Sequence, residues 1–156
     1  MFSTTKNLRS WSLLALALIG FLGFTSAFAF SNPDRSATVL NFFDGKIIAK
    51  VSWMSQPTTA KVTQLKVELL DSANHPYDID SSLVSVGLFM PAMPDMGVEE
   101  QNVVFLNDAS GNPIPGSFVA TDVNFSMEGE WEVRLTLPSP KDQKQNEMKK
   151  FSVSVK

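Results

Sequence analysis

Cysteine is absent from this sequence of 156 residues, and histidine and tyrosine occur once each, as His75 and Tyr77. The first absence excludes disulfide staples, thiolate zinc sites, iron–sulfur clusters and a cysteine nucleophile. A lone histidine leaves no set of ring nitrogens for a His-rich metal centre and little to build a hydrolytic triad from. Basic charge is scarce too. Thirteen Lys and Arg stand against 16 Asp and Glu, a net charge of −3, and no basic block is present to neutralise a run of phosphates. Nucleic acid is not an expected partner, nothing marks a sugar cleft, no small-molecule substrate is inferred, and an enzyme is not expected.

What remains is the composition of one globular domain, 44% apolar, 19% charged and 10% aromatic. Its start differs from the rest. Lys6 and Arg9 precede an acid-free apolar stretch from Trp11 to Phe24, which leads to Ala27-Phe28-Ala29. A basic start, a short apolar run and small residues spaced A-x-A are the parts of a secretory signal peptide, so residues 1–29 read as one, with cleavage after Ala29. If retained, the segment from Trp11 to Phe30 is about as long as the roughly 20 residues a membrane-spanning helix needs and would act as an anchor. The expected location is periplasmic or extracellular, membrane-tethered in the uncleaved case. Removing residues 1–29 leaves 11 basic against 16 acidic groups.

Residues 30–45 read as a lead-in with room for a first strand, and 46–156 as the folded domain. There the apolar residues recur with period two, the spacing of a strand with one buried face. Ile47, Ala49, Val51 and Trp53 share one side of Lys46 to Trp53; Leu65, Val67 and Leu69 do so in Lys61 to Leu70. Further strands are expected at Leu83 to Met90, Asn102 to Asn107, Ser117 to Phe125, Trp131 to Leu137 and Phe151 to Val155. Pro138 to Lys150 reads as a polar, lysine-rich loop. Asp71 to Pro76 and Asp108 to Pro113 carry the Asp, Asn, Ser, Gly and Pro that turns use. About seven short strands without helical periodicity predict an all-β, immunoglobulin-like antiparallel sandwich that has no disulfide. Trp53, Val67, Trp131, Val133 and Leu135 are expected in its core.

One segment carries chemistry. Six of the seven methionines lie beyond residue 29, and three crowd into Met90-Pro91-Ala92-Met93-Pro94-Asp95-Met96-Gly97. Two prolines favour a polyproline II backbone with a three-residue repeat, which would put Met90, Met93 and Met96 along one edge, about 9 Å apart. Gly97 offers a place to bend. Thioether sulfur is soft and neutral, a ligand for Cu(I) or Ag(I) and a poor one for zinc, calcium or magnesium. Met90, Met93 and Met96 are thus candidate ligands for Cu(I). Equally open is a loop that plugs the end of the sandwich or serves as an adaptable apolar contact surface, since methionine suits both roles. His75, in an Asn-His-Pro turn, reads as a solvated loop residue.

Three stretches in order resemble the YtkA-like domain family, with a looser likeness to the FixH family and to periplasmic copper chaperones. They are the strand ending Val51-Ser52-Trp53, the stretch Met90 to Gly97, and Pro115-Gly116-Ser117-Phe118 leading through Phe125-Ser126-Met127-Glu128-Gly129-Glu130-Trp131. The last resembles a proline-glycine turn, an aromatic, a strand and a Met-x-Gly-x-Trp junction. The resemblance covers about Ala49 to Leu137. It implies an immunoglobulin-like sandwich in an exported or membrane-tethered protein, linked to copper handling or oxidase assembly, with a copper-delivery or membrane-complex protein as partner and with a chaperone-like rather than enzymatic role. Many relatives place a histidine just after the Met-Pro motif, whereas here Gly97 is followed by Val98, Glu99 and Glu100.

Overall fold

The computed structural model describes residues 37–156. The expected signal peptide and residues 30–36 of the lead-in lie outside the described residues. Eight strands follow in order: β1 (Thr38–Phe42), β2 (Ile47–Trp53), β3 (Thr63–Asp71), β4 (Ser85–Phe89), β5 (Val98–Asn107), β6 (Pro113–Val123), β7 (Gly129–Pro138) and β8 (Asn146–Val155). All pair antiparallel, in the spatial order β1-β2-β3-β6-β5-β4-β7-β8.

Two layers arise because β5 divides its pairing. Its first residues, Val98 to Gln101, lie against β4, and its remainder, from Asn102, lies against β6. One layer is therefore β1-β2-β3-β6-β5 and the other β5-β4-β7-β8. The two outer edges approach one another, where the Phe43 amide donates to the Glu147 carboxylate, so the sandwich is nearly closed. The all-β immunoglobulin-like expectation holds, with one strand more than seven and no helix longer than a single 3-10 turn among the described residues.

The extra strand is β1, in the segment read as a lead-in, which reaches Ile47 to Val51 through a tight turn at Phe43-Asp44-Gly45. β8 also begins earlier than the sequence pattern suggests. Asn146 to Lys150 pair with β7, leaving only Ser139 to Gln145 as the loop.

The period-two faces meet between the layers. Ile47, Ala49, Val51, Leu65, Val67 and Leu69 from one layer are buried against Val86, Leu88, Trp131, Val133, Leu135 and Leu137 from the other. Close packing of branched aliphatic and aromatic side chains removes their surface from water, at about 25 cal/mol per Å² of apolar area. Of the five expected core residues, Val67, Trp131, Val133 and Leu135 are fully buried. Trp53 is a correction: it is half-buried, because β2 ends there and its ring lies at the mouth of the sandwich, edge-on to Phe125 at 5.7 Å. No helix among the described residues is long and apolar enough to cross a membrane.

Candidate metal site

Strand direction decides which loops are neighbours. β2 ends and β3 begins at one end of the sandwich, with Trp53 opposite Leu65. β6 arrives at the same end, Val123 opposite Thr63, and β7 leaves from it, Gly129 opposite Val155. β4 also runs to this end, and β5 returns from it, with Phe89 opposite Val98. Three connections thus share one end: residues 54–62, 90–97 and 124–128. Five of the six methionines among the described residues, Met54, Met90, Met93, Met96 and Met127, sit on them, and only Met148 lies at the opposite end, across from Thr136.

The Met-Pro loop is not the extended polyproline segment that its prolines suggested. The Met93 amide donates to the Met90 carbonyl at 2.9 Å, and the Met96 amide donates to the Met93 carbonyl at 3.1 Å. These are two successive turns, the second a 3-10 turn over Pro94–Met96. A proline φ near −65° is common to polyproline II and to the second position of a turn, so the ring alone does not choose between them. Pro91 occupies the second position of the first turn, and Pro94 opens the second. Turning contracts the loop: α-carbons three apart across a hydrogen-bonded turn lie within about 7 Å, against about 9 Å along a polyproline helix. The chain leaves at Gly97 with φ 74°.

The three methionines differ in surroundings. Met93 and Met96 are 42% and 48% exposed, whereas Met90 is 7% exposed and belongs to the core cluster. The terminal methyl of Met90 reaches under the β6–β7 connection, so close to Gly129 that a β-carbon there would lie 3.0 Å from it. That connection is held by the Trp131 indole N–H, which donates to the Met127 carbonyl at 3.1 Å, and by the Trp131 ring, edge-on to Phe125 at 5.4 Å. Met127 is partly buried against the core. In the 54–62 connection, the Met54 amide donates to the Gln64 carbonyl, and the buried Thr63 hydroxyl donates to the Ser55 carbonyl, which fixes Met54 with its side chain 55% exposed.

The loop therefore offers two exposed methionines, Met93 and Met96, on consecutive turns, and a third, Met90, that is buried at its start with its methyl toward Gly129. Asp95, between them, carries no hydrogen-bond or ion-pair partner among the described residues. His75 does not join the set. It is exposed at the opposite end of the sandwich, in a turn closed by the Asp71 carboxylate, which accepts from the amides of Ala73 and His75. Among the described residues no group of three or more His, Cys, Asp or Glu could hold a metal ion. Met127 reads from the sequence as a strand-junction residue able to reach either the core or the site, with the core favoured, and it packs partly against the core; Met54 carries little signal, because no local spacing links it to residues 90–96 and only strand order brings its loop beside them.

The architecture and this end define an antiparallel β-sandwich domain whose three loops at one end carry five of the six methionines among the described residues. The chain matches the model of the YtkA-like family over residues 49–136, more than half its length, and it belongs to that family. The matched span runs from β2 through β7 and contains both the Met90–Gly97 loop and the Met127–Trp131 junction. No curated protein and no solved structure matches the chain.

Proposed function

We propose that this YtkA-like protein is an exported, non-enzymatic carrier that binds Cu(I) through Met90, Met93 and Met96 and passes it to a copper-delivery or membrane-complex partner, in copper handling or oxidase assembly. The observation that carries the reading is the pair of consecutive turns, which brings three soft, neutral donors within one short loop at the end of a rigid sandwich. Thioethers bind a soft monovalent cation without a charge of their own, and they discriminate against hydrated divalent ions that require oxygen or nitrogen donors. They also persist in an oxidising compartment, where thiols are lost to disulfides. A site open on two of its donors suits transfer, because an incoming ligand from a partner can displace Met93 or Met96 one at a time while Met90 retains the ion.

An anaerobic Cu(I) titration against a competing chelator tests this. One equivalent should bind to the parent protein and none to the triple variant M90L/M93L/M96L, while Zn(II), Ca(II) and Mg(II) should not compete. Leucine keeps nearly the same volume and apolarity, so the fold should survive at under about 1.5 kcal/mol per site.

A second reading has its own observation. Met90 is packed in the core beneath Gly129, which favours a loop that is partly plug and partly contact surface, with Met93 and Met96 displayed to a protein partner. If the parent protein binds no Cu(I), this reading replaces the first.

A further inference from the structure

Nine large apolar side chains remain exposed among the described residues, and five of them, Met54, Val62, Met93, Met96 and Val98, lie on the two outer loops of the methionine end or on the first residue beyond. Single exposed apolar groups are ordinary, but a concentration at one end marks an interaction surface. Charge divides along the same axis. At the opposite end most carboxylates are occupied by the fold: Asp71, Asp80, Asp108 and Asp142 each accept from turn amides, and Glu147 pairs with Lys149. At the methionine end, Asp95, Glu99, Asp122, Glu128 and Glu130 are exposed and none of their carboxylates has a hydrogen-bond or ion-pair partner among the described residues; the Gln101 side-chain amide donates to the Glu99 backbone carbonyl, not to its carboxylate. Among the described residues only Lys61 and Lys156 oppose them there.

We infer that the methionine end is a docking surface for a basic protein partner, one that presents an apolar tip within a ring of Lys or Arg. The inference rests on the copper reading for the cargo alone, because the surface is defined without any ion. An apolar centre with a polar rim is the anatomy of a specific interface, and methionine adapts its shape to the group it receives. Carboxylates with no structural duty and a common sign raise the encounter rate with a positive surface and repel a negative one. That sign selects a basic protein over an anionic lipid headgroup, which the same five carboxylates would oppose. Docking here would set the partner directly over Met93 and Met96, so recognition and transfer would occupy one surface.

Three fluorescent synthetic peptides test it on the copper-free protein: one alternating Lys with Leu and Met, one with Glu in place of Lys, and one with Ser in place of Leu and Met. The Lys/Leu/Met peptide should bind most tightly, and its affinity should fall at least about tenfold between low salt and about 0.5 M, where screening is within a few Å. Its addition should shift the methyl resonances of Met54, Met93 and Met96 and leave that of Met148 in place. The variant D95N/E99Q/E128Q/E130Q should lose about tenfold or more, whereas Met90→Leu, at the buried member of the methionine set that the surface does not display, should bind the peptide within about twofold of the parent while losing Cu(I) affinity. The two variants thus separate failure of docking from failure of copper binding. Equal binding of the Lys and Glu peptides, methyl shifts confined to Met148, or full binding by the quadruple variant would overturn the inference. So would attachment to lipid vesicles in place of the peptide, which would assign this end to a membrane surface.

Discussion

The methyl of Met90 occupies the position just beyond the missing side chain of Gly129, 3.0 Å from where its β-carbon would stand, so the Met-Pro loop and the β6–β7 connection interlock at one point. Gly129 also has φ 132°, a conformation that side chains other than glycine's avoid. Gly129→Ala should therefore destabilise the fold by about 1 to 3 kcal/mol. Met90 can retract its flexible end, so most of that cost is backbone strain. A double-mutant cycle with Met90→Ala, read by denaturant unfolding, should show a coupling well below the Gly129→Ala cost; coupling equal to the whole cost would mean that contact with Met90, and not φ, requires glycine.

The three methionines should separate by stability as they do by burial. Met90→Ala removes a core side chain and should cost about 2 to 5 kcal/mol, whereas Met93→Ala and Met96→Ala should stay within about 0.5 kcal/mol of the parent. Unfolding midpoints of the three single variants check this. Three equal costs would place all of them in the core and leave no exposed donors.

Trp131 combines a buried ring, an edge-on contact with Phe125 and the indole hydrogen bond to Met127. Trp131→Ala should cost about 3 to 5 kcal/mol. Trp131→Phe keeps much of the volume and loses the hydrogen bond, so it should cost less and loosen the β6–β7 connection locally. Amide hydrogen exchange at Met127 to Gly129 is the readout.

Acid should weaken the fold through carboxylates that the native state holds ionised. Hydrogen bonds from Lys150 and then Arg134 hold the Glu132 carboxyl below its usual range. The turn amide of His75 does most to lower Asp71, the Ser82 hydroxyl Asp80, and the Asn112 amide Asp108. A folded-state value below the unfolded one stabilises at pH above the unfolded value, about 4, and that contribution disappears as pH falls through the folded value. Melting temperature should thus be level near neutrality and decline below about pH 4, and Glu132→Gln should show a shallower decline than the parent.

Much of the sandwich was legible because its central strands bury one face: Ile47, Ala49 and Val51, or Val133, Leu135 and Leu137, leave a period-two trace that survives without any tertiary knowledge. The strands that escaped were those without such a trace. The start of β8 alternates Glu147 and Lys149 with Met148 and Lys150, and the start of β5 carries Glu99 and Glu100 in succession, so neither shows an apolar face. Pro115-Gly116 was visible as a motif, but its reason was not. Gly116 passes so near β3 and Tyr77 that a β-carbon would lie 2.7 Å from the Leu69 carbonyl oxygen. In the candidate site, the i, i+3, i+6 spacing identified the loop, while its turned backbone and the arrival of Met54 and Met127 depended on hydrogen bonding and strand order, which local spacing does not encode.

The most direct test is a titration of Ag(I) or anaerobic Cu(I) into protein labelled with carbon-13 at the methionine methyls, followed by two-dimensional NMR. The methyls of Met90, Met93 and Met96 should move together and saturate at one equivalent, with Met148, at the far end of the sandwich, unaffected. Methyls of residues 90–96 that stay in place, or that move no more than Met148 does, would contradict a soft-metal site in the Met-Pro loop.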